Sequence, residues 1–128
     1  MKIPANHIND TDLIKFGEEV INLIRGKEYK ELANRFGYAL AYGKDPSTVI
    51  KNEIDMCLSQ LGDYSELTET ISKEIIVKYF ENNDTGLVAV VECSLSMENS
   101  AGEMLVELIV TRKDGENYVT LEQISHAA

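Results

Sequence analysis

Few side chains in this chain are arranged as bond-making chemistry would need them. A general acid–base pair requires two titratable groups held rigidly on inward-facing positions. The two histidines, His7 and His126, stand at opposite ends of the chain. His7 precedes the first helical pattern and His126 lies close to the last residue, so each is expected to be a solvated imidazole. Glu92 and Glu107 fall on the polar side of alternating strand patterns, which suits a solvent-facing or partner-facing carboxylate. Asp55 flanks the apolar stripe of a helix and is expected at the surface. Cys57 and Cys93 lack metal-ligand spacing and sit inside apolar patterns, as buried reduced thiols do. There is no glycine-rich phosphate loop, no His-x-x-x-His pair, no nucleophile elbow and no cysteine cluster. Gly86, Gly102 and Gly115 read as turn glycines. The expectation is a non-enzyme with no catalytic residue, no metal and no cofactor.

Charge points elsewhere. The net charge is −10, which opposes nucleic acid and anionic membranes as direct partners and favours a basic protein. It is unevenly spread. Residues 1–63 hold 10 acids and 8 bases, net −2, whereas residues 64–128 hold 12 acids and 4 bases, net −8. The candidate partner-binding carboxylates are therefore Glu92, Glu98, Glu103, Glu107, Asp114 and Glu116, all on the later strands or their turns.

The elements that must position these acids follow from periodicity. At 128 residues with 44% hydrophobic side chains, one domain spanning residues 1–128 can bury its own core. Leu13, Phe16, Val20, Leu23 and Ile24 recur at helical spacing after a cap at Asp10 or Thr11, with Gly26 as the stop. A second helix begins near Lys27 and carries Tyr29, Leu32, Ala33 and Phe36 on one face. Residues 36–42 alternate Phe36, Tyr38, Leu40 and Tyr42 with small residues; the period of two favours a short strand or extended turn, and the alanines favour a continuing helix. The short strand is the expectation. Asp45-Pro46 opens a third helix with Ile50, Ile54, Cys57, Leu58 and Leu61 inside and Gly62 at its end.

Four strands follow, at Ile71–Glu81, Leu87–Met97, Met104–Arg112 and Asn117–Ser125, with a frayed tail after them. Asn82 to Gly86, Glu98 to Glu103 and Lys113-Asp114-Gly115-Glu116 supply the turns, the last as a primed hairpin. Short turns make neighbours antiparallel. The fold class is α+β: N-terminal helices packed on a curved antiparallel β-sheet, in the order α-α-(short β)-α-β-β-β-β. No stretch is long and apolar enough for a bilayer span and no export signal is recognisable at the start, so a cytoplasmic location is expected.

Three stretches carry a family resemblance. They are Arg25-Gly26-Lys27-Glu28-Tyr29-Lys30-Glu31-Leu32-Ala33 at the helix junction, Leu61-Gly62 closing the third helix, and Val110-Thr111-Arg112-Lys113-Asp114-Gly115 with Tyr118-Val119 in the final hairpin. With the element order, they resemble the nuclear transport factor 2-like (cystatin-like cone) superfamily, in particular its small bacterial domains. The resemblance spans nearly the whole chain through short motifs, and the early strand departs from the pattern by being short or absent. It implies a cone of sheet wrapped around helices. It permits a role as an immunity protein that neutralises a basic, nuclease-like toxin. It also implies a cone pocket, with candidate lining residues Phe16, Tyr38, Tyr42, Val91, Leu95, Val106 and Leu108, which a small-ligand binder or degenerate enzyme would use. A structural homodimer, covering a mixed second sheet face, is the third reading.

Overall fold

The structure is a computed structural model, and it describes residues 1–61, 70–97 and 102–127. Strand β1 (Lys2–Ile3) is followed by helices α1 (Asp10–Arg25), α2 (Tyr29–Phe36) and α3 (Pro46–Leu61), then strands β2 (Thr70–Tyr79), β3 (Leu87–Met97), β4 (Glu103–Lys113) and β5 (Glu116–Ala127). The strands form one antiparallel sheet in the order β1-β5-β4-β3-β2, with the helices packed on one face of its curve.

Helix α1 is capped one residue earlier than the sequence reading places it. Asn9 is extended, and its side-chain oxygen accepts a hydrogen bond from the Asp12 amide at 2.9 Å. Asp10 and Asp12 then lie in the first turn, where the helix dipole favours them. At the other end the left-handed residue is Lys27 (φ 57°), not Gly26 (φ −82°). The Lys27 amide donates to the Ile24 carbonyl and the Glu28 amide to that of Leu23, at 3.0 and 2.9 Å, which closes the helix as a Schellman turn. Helix α2 therefore starts at Tyr29 rather than near Lys27. Helix α3 follows the expected pattern at its start, with the Asp45 carboxylate accepting from the Thr48 amide (3.3 Å) and from the Ser47 and Thr48 hydroxyls (2.8 and 2.7 Å). The expected stop at Gly62 lies outside the described residues.

The short strand expected within residues 36–42 is a 3₁₀ turn at Ala39–Ala41. Gly37 (φ 69°) ends α2, and Tyr38 alone stays extended. Beyond Phe36, the last residue of α2, the buried residues are Tyr38 and Ala41, three apart, so the period there is that of a 3₁₀ turn and not of a strand. Strand β1 is a second departure: Lys2 and Ile3 face Tyr118 and Asn117 on β5, and the Met1 amino group donates to the Val119 carbonyl at 2.7 Å. Strand β5 continues to Ala127, so the expected frayed tail is paired, with His126 opposite Met104.

The core lies between helices and sheet. Ala89, Val91, Cys93 and Leu95 of β3, Met104, Val106, Leu108 and Val110 of β4, and Val119, Leu121 and Ile124 of β5 meet Leu13, Val20, Ile21, Ile24, Leu32, Ile50 and Ile54 from the helices. Gly17 brings α1 close to the sheet: a Cβ there would stand 3.1 Å from Cys93 Sγ and 3.2 Å from Ile75 Cγ2. The β2–β3 turn is held by Asn83, whose side-chain oxygen accepts from the Thr85 and Leu87 amides at 3.1 and 3.2 Å. Gly86 (φ 73°) ends that turn at a point where a Cβ would run into the Arg112 carbonyl. Asp114 and Gly115, both with positive φ, make the tight β4–β5 hairpin.

Candidate functional site

The face of the sheet away from the helices carries the acids. In an antiparallel pair, residues directly opposite share a face and are nearest neighbours. Ile76, Glu92, Glu107 and Gln123 form one such row across β2, β3, β4 and β5. Lys78, Val90, Ile109 and Thr120 form the next on one side, and Glu74, Ser94, Leu105 and Ser125 the next on the other. Ser96 and Glu103 follow. The rows interleave half-buried aliphatic side chains with carboxylates.

The centre of this face is a like-charge contact. Glu92 stands directly opposite Glu107, and Glu122 lies beside them at a bulge in the β4–β5 register. Counting back from the Asp114-Gly115 hairpin would set Glu122 opposite Glu107. The register shift between Glu107 and Leu108 sets Gln123 there instead. Burial, then the neighbouring Glu92 and Glu122 charges, push the Glu107 carboxyl above its ordinary range, and Lys78 opposes them. Lys78 Nζ lies 3.1 Å from Glu92. Among the described residues, Glu103, Glu107 and Asp114 make no ion pair.

The proposed partner-binding acids are thus strung along a line and not gathered in one patch. Glu103 and Asp114 lie near opposite ends of β4, roughly 35 Å apart at a strand's rise per residue. Asp114 is exposed in the hairpin turn. Glu116 is engaged by Lys2 at 2.6 Å and by the Tyr118 hydroxyl at 2.9 Å, which hold its carboxyl below the usual range. Glu98 lies outside the described residues. Glu122, Lys78 and Glu74 also belong to this face beyond the acids expected from the sequence, and register counting from the hairpins points to all three.

A depression of about 240 Å³ sits among Glu92, Ser94, Leu105, Glu107, Gln123 and Ser125. That is smaller than the volume that encloses a drug-sized ligand. It suits the seating of one protruding side chain.

No family model matches this chain, and neither does any curated protein or solved structure. The reading of function therefore rests on the residues and their geometry.

Among the described residues, the side chains named for a cone pocket are packed into the core or turned away from it. Val91, Leu95, Val106 and Leu108 are fully buried members of the core between helices and sheet. Phe16 is half-buried, edge-on to Phe36 at 6.5 Å between ring centres. Tyr42 points outward with 82% of its surface exposed and lines no interior space; its neighbour is an open groove of about 610 Å³ that also includes Met56. Tyr38 is buried, and its hydroxyl lies near the Ile124 backbone without a hydrogen bond of good geometry. Burial, with Glu53 next, pushes that phenol up to about 12.

The histidines, Asp55 and the two cysteines are dispersed over the molecule. His7 sits half-buried beside Phe16 at 6.4 Å, and His126 is exposed on β5. Asp55 is exposed and paired with Lys51 at 2.7 Å. Cys57 and Cys93 are buried free thiols, and burial pushes Cys93 up to about 12, where it is no nucleophile at neutral pH. Among the described residues, no three histidine, cysteine or acidic side chains are grouped to hold a metal ion, and no helix is long and apolar enough to cross a membrane.

Proposed function

We propose that this protein is a non-enzymatic acidic binding module that docks a basic protein on the outer face of its sheet. In its concrete form it is an immunity protein that covers the cationic cleft of a nuclease-like toxin, a version that the resemblance of the sequence permits. The observation that carries the reading is the Glu92–Glu107 opposition with Glu122 alongside. Like charges placed directly opposite on neighbouring strands cost folding free energy, and among the described residues Lys78 is ion-paired with Glu92 alone of the three carboxylates. A cationic partner would relieve that cost, and half-buried Val90, Leu105 and Ile109 beside the acids would supply apolar contact. The outlying Glu103 and Asp114 would steer the encounter over a longer range.

The test is a pull-down from the source cell with the wild-type chain and with a Glu103→Lys/Glu107→Lys variant, read by mass spectrometry. A basic protein held by the first and released by the second is expected, with its nuclease activity suppressed by a stoichiometric amount of the wild-type chain. Identical captured sets would remove the proposal.

A further inference from the structure

Strand β2 ends the sheet. Its partner β3 takes one edge, and among the described residues its other edge has no backbone partner. The Phe80 amide donates to the Val88 carbonyl at 2.9 Å, so the even-numbered residues of β2 turn their backbone groups toward β3. The backbone groups of Lys73, Ile75, Val77 and Tyr79 therefore point outward, because the two sets alternate along an antiparallel strand. Natural sheets usually blunt such an edge. This one runs from Thr70 to Tyr79 with no proline, and apolar side chains are exposed on it and just past it: Ile76 at 42%, Tyr79 at 50% and Phe80 at 45%.

We infer that β2 pairs with β2 of a second copy of this chain, antiparallel, about a two-fold axis at Ile76. The sequence of the strand is self-complementary in that register. Glu74 then faces Lys78 of the second copy, and Lys78 faces its Glu74. Ile76 faces Ile76, and on the inner side Ile75 faces Val77. Glu74, Ile76 and Lys78 all lie on the outer face, opposite Ser94, Glu92 and Val90 of their own chain, so they meet on one surface. Other registers are worse. An axis at Ile75 sets Glu74 against Ile76, an axis at Val77 sets Ile76 against Lys78, and axes at Glu74 or Lys78 stack like charges. The outward backbone groups of Ile75 and Val77 exchange hydrogen bonds across the axis, and the two sheets become one. Such an interface is isologous and closes at two copies. It leaves Glu107 and Glu122, farther into the sheet, uncovered.

Sedimentation of the full chain over a concentration series up to ~100 μM tests this. Wild type is expected to move from the mass of one chain to that of two. Glu74→Lys alone and Lys78→Glu alone each set like charges across the axis twice, so each is expected to weaken the pair by about tenfold or more. A mixture of the two variants restores both opposite-charge contacts, so a mixed dimer is expected to form about as tightly as wild type. The double variant E74K/K78E, with the charges exchanged, should also pair. Circular dichroism of each variant separates loss of pairing from loss of fold. Wild type remaining a single chain throughout overturns the inference. So do folded single variants that dimerise unchanged, and a folded mixture that stays monomeric.

Discussion

The two faces of this sheet are built by the same alternation and do opposite things. The inner face of β3 and β4 is aliphatic or sulfur-bearing at every described position from Ala89 to Leu95 and from Met104 to Val110, and each of those side chains is essentially inaccessible. The outer face alternates Val90, Leu105 and Ile109 with Glu92, Ser94 and Glu107, all half-buried. The inner face is constrained by volume, since close packing penalises any gap. The outer face is free of that constraint, and it carries a like-charge contact that folding alone would not select. Stability is therefore to be sought on the inner face of the sheet and binding on the outer one.

The largest expected effect divides the two faces at adjacent residues. Leu108→Ala should lower unfolding stability by about 2–5 kcal/mol in chemical denaturation, because a fully buried site leaves a cavity. Ile109→Ala, one step along the same strand, should cost less than about 1 kcal/mol. Equal losses would break the distinction. Next is Gly17→Val, expected to cost about 1–3 kcal/mol, since its side chain would press on Cys93, Ile75 and Val91 where α1 meets the sheet. Asn9→Ala removes the α1 cap and should cost about 1 kcal/mol, read as a lower thermal midpoint.

The smallest effect lies on the outer face and has a pH sign. The fold favours the protonated form of Glu107, through burial and the adjacent Glu92 and Glu122. Its penalty is absent below the ordinary carboxylate range, sets in as pH rises through that range, and is complete above its raised folded value. Glu107→Gln should therefore be more stable than wild type at pH 7 and equal to it near pH 3, where both side chains are neutral. A variant less stable at pH 7 would show that the charge is supported, not opposed, by its surroundings.

The chain announces the fold most clearly where one physical rule acts alone. Strand β3 has the bounds Leu87–Met97 that its alternation predicts, since a period of two with one face buried admits a single register. The hairpin at Asp114-Gly115 is equally legible, because its positive backbone angles demand those residues. Legibility fails where tertiary contacts decide. Tyr38 and Tyr42 alternate like strand residues, yet the core draws in Tyr38 and Ala41 and leaves Tyr42 outside. Strand β1 is two residues long, too short for any periodicity, and exists because β5 offers an edge. For the candidate site, the acids could be read from the sequence, but not their contacts. The opposition of Glu92 and Glu107 depends on strand register, and the displacement of Glu122 on a bulge that no residue type announces.

The most direct test of the outer face as a docking surface is the association rate of the captured basic partner, measured by stopped flow across ionic strength. The wild-type rate is expected to fall steeply as salt rises, and the Glu103→Lys/Glu107→Lys variant to associate at least tenfold more slowly at low salt with a much flatter dependence. A rate indifferent both to salt and to these reversals would contradict the account.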